Sequence, residues 1–200
     1  MKVKRLLDLV LVIPGLLLLA PVLAGIALWI RLDSPGPVLF RQRRVGRGGR
    51  PFFVLKFRTM VADAEAKGPR ITVGGDPRIT SSGRLLRQSK LDELPQLFNV
   101  LKGEMSLVGP RPEVPEYVAL YPPEVRDEVL SIPPGITDFA SIEFRDENTL
   151  LAQAADPHRA YVETILPIKL GHYRRYVRER SLTLDLLLLG RTIKAIIPRL

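Results

Sequence analysis

The chain has 200 residues, of which 30 are Lys or Arg and 21 are Asp or Glu, for a net charge of +9 and no cysteine. The missing thiols exclude disulfides and thiolate metal sites and fit a reducing compartment. The positive excess asks for an anionic partner, and lipid headgroups suit it better than nucleic acid. No helix-turn-helix, zinc-finger or RNP-like pattern occurs, and the basic clusters do not alternate with stacking aromatics.

Residues 9–30 carry no charge; as a helix they would rise about 33 Å, enough for the hydrocarbon core of a bilayer. The run is too long for the apolar part of a signal peptide, and an arginine-rich segment follows where a cleavage site would stand. A buried core helix is the other reading of such a run. Lys2, Lys4 and Arg5 precede it, and Arg31, Arg41, Arg43, Arg44, Arg47 and Arg50 follow it. The positive-inside tendency puts both flanks on the cytoplasmic side, so a helix that enters and returns is expected rather than a simple span. Pro14 with Gly15, and then Pro21, offer places to bend, because each proline removes a helix hydrogen bond. The carbonyls freed in this way need partners inside protein or near the headgroups. Trp29 fits an interfacial anchor at the exit.

Asp33-Ser34-Pro35-Gly36-Pro37 is a turn cluster that closes the membrane segment. Residues 38–44 and 51–58 read as two strands of a hairpin, joined by Gly46-Arg47-Gly48-Gly49-Arg50. Arg41, Arg43, Arg44, Arg47, Arg50, Lys56 and Arg58 fall in this stretch without an acid among them. A short helical turn is expected over residues 63–67, then a loop around Gly74 and Gly75. Residues 82–89 read as a helix that places Arg84 and Arg87 on one face. Asp92 is a candidate N-cap for a helix over residues 92–102, with Pro95 in its first turn and Gly103 as its stop. Residues 181–200 are leucine-rich but broken by Asp185, Arg191 and Lys194. They read as an amphipathic helix, at the membrane interface or packed on the domain. His158 and His172 have no Cys or His at ligand spacing and read as ordinary residues.

The chemistry gathers in Leu91-Asp92-Glu93-Leu94-Pro95-Gln96, with Arg84, Arg87 and Lys90 before it and Arg111 after it. Adjacent carboxylates among cations suit phosphate chemistry. The cations neutralise a polyanionic substrate, and a carboxylate can bind Mg²⁺ or attack phosphorus once that charge is screened. A solvated face of surface ion pairs, with an ordinary capping aspartate, would use the same residues.

Together these segments resemble the monotopic bacterial phosphoglycosyl transferases, also called bacterial sugar transferases. The likeness runs through Lys4, Arg5 and Asp8; Asp33-Ser34-Pro35-Gly36-Pro37; Gln42, Arg44 and Gly46; Lys56-Phe57-Arg58-Thr59-Met60; residues 91–100; and Met105-Ser106-Leu107-Val108-Gly109-Pro110-Arg111-Pro112. The resemblance implies a two-step transfer of a phospho-sugar from a UDP-sugar to polyprenol phosphate. In it Asp92 attacks the sugar-bearing phosphorus, expels UMP and is later released by the lipid phosphate. It further implies Mg²⁺ held by Asp92 and the donor diphosphate, with Glu93 tuning charge or handling a proton. Lys56, Arg58, Arg84, Arg87, Arg111 and Arg145 become phosphate or carboxylate partners, Arg58 and Arg84 standing open between that role and a structural one. The implied location is the cytoplasmic leaflet of the bacterial inner membrane, with a homodimer left open.

Two departures stand out. Family members commonly place a serine before the helix-breaking proline, where this chain has Ala20 and Pro21. Many also carry a Gly-Trp-Ala-Gln-Val-Asn-Gly-Arg-like stretch where this chain has residues 138–145, ending in Arg145. The expected architecture is α+β: a mainly helical compact domain with a small β-hairpin and an N-terminal re-entrant membrane helix. Residues 1–36 would form the membrane helix and its exit, and residues 37–200 the cytoplasmic catalytic domain. The rival readings are a basic membrane-surface scaffold binding anionic lipid or nucleic acid, and a lipid-diphosphate hydrolase.

Overall fold

A single helix, α1 (Lys2–Asp33), takes in the whole apolar run, with Pro14 and Pro21 inside it. The computed structural model describes residues 2–64 and 76–196. The expected turn through Lys67 and the loop around Gly74 and Gly75 lie outside the described residues. After α1 come the antiparallel strands β1 (Leu39–Val45) and β2 (Pro51–Phe57), with Leu39 opposite Phe57 and Val45 opposite Pro51. The hairpin expected from the sequence is therefore present, closed by a short 3-10 turn over Arg47–Gly49.

Helix α2 (Ser81–Ser89) starts on Thr80, whose side chain accepts from the Gly83 amide at 3.0 Å, and ends on Lys90 in the left-handed region at φ 60°. A 3-10 turn, Leu91–Glu93, follows, and helix α3 (Gln96–Lys102) begins only after Pro95. Asp92 is thus not the N-cap that its position suggests. A cap there would bond the amide of Leu94 or Pro95; the first already donates to the Leu91 carbonyl, and proline has none. The carboxylate is left free for other partners. Gly103 does end α3, at φ 84°.

A second sheet, which three-residue strands without clear alternation conceal from the sequence, pairs β3 (Ser106–Val108) in parallel with β4 (Gly135–Thr137). Between them lie α4 (Pro115–Val118) and α5 (Pro123–Val129). Beyond them come α6 (Phe139–Glu143), α7 (Glu147–Ala152), α8 (Pro157–Ala160), one π-helical turn at Tyr161–Ile165, α9 (Leu166–Glu179) and α10 (Leu182–Ile196). The largest core joins Val45, Tyr117, Tyr121, Tyr161 and Tyr173 between the hairpin and α9. Helix α10 packs on the domain through Leu188 and Asp185, and leaves Leu186, Leu187 and Ile193 exposed.

Helix α1 meets the domain at both ends and leaves it in the middle. Val12 packs with Val54, Val100 and Met105, while Ile26 and Ile30 pack with Phe57 and Leu86. Leu17 and Leu18 between them are 73% and 79% exposed, an apolar surface that water does not favour and lipid does. Polar ties fix each end. Lys4 meets Asp185 at 2.6 Å, Arg5 donates to the Val100 and Leu101 carbonyls, and Asp8 accepts from the Ser106 hydroxyl at 2.8 Å and the Leu107 amide at 3.1 Å. At the other end Asp33 accepts from the Ser82 amide at 3.0 Å and its hydroxyl at 2.8 Å.

Gly83 is where α2 crosses the chain leaving the hairpin: an added Cβ would stand 2.1 Å from the Thr59 carbonyl oxygen. Gly→Ala inside a helix ordinarily gains about 1 kcal/mol. Gly83→Ala is expected to reverse that sign and cost about 1–3 kcal/mol by overpacking. Thermal melts in detergent would read the change, and an unchanged or raised Tm would contradict the crossing.

Candidate active site

The turn Leu91–Glu93 projects its two acids into different surroundings. Glu93 is pinned. Its Oε1 accepts from Lys56 Nζ at 2.8 Å and from Arg111 Nη2 at 2.5 Å, and its Oε2 from Arg111 Nη1 at 3.1 Å. The two-pronged contact fixes orientation as well as charge, which a lysine alone cannot do. Asp92 is only 8% exposed, and its Oδ1 is buried without a hydrogen-bond partner among the described residues.

The electrostatics separate the pair. Burial pushes the Asp92 carboxyl above the usual aspartate range, and the neighbouring Glu93 charge adds to this; Lys56, Lys90 and Arg87 pull against it without cancelling it. Burial would raise Glu93 as well, but Arg111 and Lys56 outweigh it and hold that carboxyl well below its ordinary value. Arg111 is correspondingly held above its own range by Glu93. Burial lowers Lys90 and Arg87, partly offset by the nearby acids.

Lys56, Arg87 and Arg111, all expected from the sequence, thus converge on the acidic pair from β2, from α2 and from the segment after β3. Arg84 does not join them: three residues before Arg87, it is exposed to solvent. Arg58 is buried elsewhere, donating to Ser34 O at 2.6 Å, Ser34 Oγ at 2.8 Å and Pro35 O at 2.8 Å, so it caps the end of α1. Arg145 follows α6 with Nε and Nη2 buried and unbonded among the described residues, and no hydrogen bond joins it to Asp92 or Glu93. His172 meets Glu143 at 2.9 Å, and His158 lies against the Tyr117 ring.

Lys90, which the sequence sets just before the acidic turn, acts on both acids as well. Beside this centre stands one acid with a weak sequence signal, linked to it through the charge of Arg111. Glu113 is buried two residues after Arg111. It accepts from the Tyr161 hydroxyl at 2.8 Å and Arg44 Nη1 at 3.1 Å, and lies 4.0 Å from Lys169 Nζ. Its one advance signal is an acid set among apolar residues and prolines in Pro112-Glu113-Val114-Pro115.

The span that builds this geometry, residues 1–199, matches the family model described as bacterial sugar transferase. The chain belongs to the bacterial sugar transferase family. Among curated relatives it is 38% identical over 197 residues to the UDP-N-acetylgalactosamine-undecaprenyl-phosphate N-acetylgalactosaminephosphotransferase of Aeromonas hydrophila, covering 98% of this chain and 44% of that protein. It is 45% identical over 150 residues to the UDP-glucose:undecaprenyl-phosphate glucose-1-phosphate transferase of Caulobacter vibrioides, covering 70% of this chain and 53% of that one. A protein of Escherichia coli with the same name is 46% identical over 141 residues, 70% of this chain and 30% of that protein. The chain therefore spans about half or less of the length of these three family members.

A divalent cation fits this family member in one way. No group of three or more His, Cys, Asp or Glu gathers as a cation cage among the described residues. Asp92 Oδ1 is a buried carboxylate oxygen left unbonded there. Mg²⁺ is commonly held by one or two carboxylates together with substrate phosphates, and an unbonded carboxylate oxygen is a donor of that kind.

The raised Asp92 carboxyl has a consequence for stability. The native state keeps that proton to higher pH than the unfolded chain does, so the stability it contributes is full in acid and falls as pH rises through the native value. Glu93, held low, contributes in the opposite sense. Asp92→Asn is expected to raise Tm at pH 8 by a few degrees, the gain shrinking toward pH 4. A lower Tm at pH 8 would contradict the burial cost assigned to Asp92.

Proposed function

We propose that this chain is a membrane-bound phosphoglycosyl transferase that moves a phospho-sugar from a UDP-sugar to polyprenol phosphate, such as undecaprenyl phosphate. The observation that carries the reading is the unbonded, buried Asp92 oxygen beside a neighbour whose own oxygens are taken up by Lys56 and Arg111. The printed names of the relatives, which transfer sugar phosphates to undecaprenyl phosphate, support it.

In the first step an Asp92 carboxylate oxygen attacks the sugar-bearing phosphorus of the donor. The new oxygen–phosphorus bond forms as the diphosphate bridge breaks, and UMP leaves with the bonding electrons. In the second, an oxygen of polyprenol phosphate attacks the same phosphorus and the acyl-phosphate bond breaks. Asp92 is returned as carboxylate and polyprenyl-diphospho-sugar is released. A covalent intermediate lets two substrates of very different polarity use one site in turn. Arg87, Lys90 and Arg111, gathered around the acidic pair, would neutralise the charge that develops on the phosphates. Glu93, held ionised, supports the role of a fixed charge that orients Arg111 and Lys56 better than that of a proton acceptor. When bound by Asp92 and the donor diphosphate, Mg²⁺ would add charge neutralisation on the phosphates.

The same proposal places α1 as a re-entrant helix on the cytoplasmic face of the bacterial inner membrane. What supports it is that Lys4, Arg5 and Asp8 at one end, and Asp33 at the other, bond to one and the same domain. A straight span with the domain on one side would carry one of these ends roughly 30 Å away from it. Single cysteines at Lys2→Cys and Pro37→Cys should therefore be labelled from the same face of sealed vesicles. Labelling from opposite faces would mean a span.

The reaction is tested by UMP release with Mg²⁺, polyprenol phosphate and a panel of UDP-sugars. Release with a matching donor is expected, and Asp92→Asn should lower it by about 10³-fold or more while leaving membrane association intact. A phospho-sugar adduct on Asp92 should be detectable by mass spectrometry when the lipid acceptor is withheld. Undiminished release by Asp92→Asn would sink the mechanism; phospho-sugar passed to water alone would point to a hydrolase.

A further inference from the structure

The two ends of α1 do not grip the domain at arbitrary places. Asp8 bonds the first two residues of β3, Ser106 and Leu107. The third, Val108, is reached by a second route: Lys4 meets Asp185 at 2.6 Å, and the Tyr176 hydroxyl donates to Asp185 at 2.6 Å while lying 3.1 Å from the Val108 carbonyl oxygen. Strand β3 leads through Gly109 and Pro110 straight to Arg111. Arg5 holds the last carbonyls of α3, the helix that follows Asp92 and Glu93. At the other end, Asp33 bonds the first turn of α2, which carries Arg87 and delivers Lys90 and the acidic turn.

The site is therefore built in two halves that meet at the ion pair of Glu93 with Arg111: the N-terminal end of the apolar helix holds the Arg111 half and, through α3, the far side of the acidic turn, while its C-terminal end holds α2 and with it Arg87 and the near side of that turn. Asp8 is itself almost fully buried, 4% exposed, a setting in which a carboxylate is costly unless its partners are in place. Neither Asp8 nor Asp33 bonds a residue of the acidic pair among the described residues, so both act through the elements they hold.

We infer that Asp8 and Asp33 are positioning residues for phospho-sugar transfer, holding the Arg111 half and the Arg87/Asp92 half of the site in register, so that the membrane helix is a template for the catalytic pocket as well as an anchor. The inference rests on the transferase reading only for its activity readout.

The test is a double-mutant cycle with an isosteric control. Asp8→Ala is expected to lower kcat for UMP release by about tenfold, with KM for the UDP-sugar changed by less than about threefold. Asp8→Asn keeps the shape and an acceptor for the Leu107 amide, and should retain kcat within about threefold of the parent. In an Arg111→Ala background the further loss from Asp8→Ala should shrink to about twofold or less, because what Asp8 positions is already gone. Asp33→Ala combined with Arg87→Ala should behave alike. Full additivity in both cycles, or parent kcat in Asp8→Ala, would overturn the inference, since a purely structural contact lowers folded fraction without coupling to Arg111. If the parent itself released no UMP, the transferase reading would fail first. Hydrogen exchange would then decide the positioning role. Faster exchange through residues 91–93 and 109–111 in Asp8→Ala is expected, and unchanged protection there would overturn it.

Discussion

Two adjacent carboxylates in a buried turn repel each other, and burial makes each costlier to ionise. The fold meets this constraint by bringing cations from separate stretches of chain to one turn: Lys56 from β2, Arg87 and Lys90 from α2 and its cap, and Arg111 from the segment after β3. They do not treat the acids alike. Arg111 and Lys56 are committed to Glu93 by direct bonds, while Asp92 receives positive potential and keeps a bare oxygen. The result is one carboxylate held as a fixed charge and a neighbour left incompletely satisfied. Environments that push two titratable groups apart are how proteins divide roles between identical side chains.

That arrangement requires the contributing elements to be held without help from a large sheet, since among the described residues the sheets are two strands each. Helix α1 supplies the missing backbone of the domain. Its sequence is divided accordingly: charged residues at the ends, where they bond β3, α3 and α2, and an unbroken apolar stretch between, with Leu17 and Leu18 at its middle left outward. A helix used only as an anchor would need hydrophobic length and a basic flank. Asp8 and Asp33 are superfluous to that task, and acids near a membrane segment are ordinarily unwelcome beside anionic headgroups. Their presence makes sense as intramolecular bonding.

Much of this could be read before any coordinates. The apolar run, the hairpin with its glycine turn, α2, the stop at Gly103 and the amphipathic α10 all follow from local patterns strong enough to survive tertiary context. What failed was finer. Asp92 looked like a cap because caps are recognised by residue type and spacing, but Pro95 withholds the amide such a cap would use. The parallel pairing of β3 with β4 escaped because three-residue strands show little alternation and their register depends on a close approach, an added Cβ at Gly135 lying 2.0 Å from the Gly109 nitrogen. Arg58 and Arg87 look equivalent as letters in a basic chain. Only packing sends one to the carbonyls at the end of α1 and the other to Asp92.

Strand β2 shows how these requirements are met in a few residues. Lys56 faces Glu93, Phe57 packs on Ile30 and Leu86, and Arg58, just past the strand, binds Ser34 and Pro35. Successive residues of an extended chain advance about 3.3 Å, so the residue that pairs with Glu93 and the residue that binds the end of α1 lie roughly 7 Å apart along the backbone. Three successive residues thus couple the acidic pair to the C-terminal end of α1, where the apolar helix meets the domain. For the proposed reaction this proximity is what the chemistry needs. A lipid-borne phosphate is confined to the headgroup plane, and an acidic pair tied this closely to the end of the apolar helix would meet it there without a moving arm.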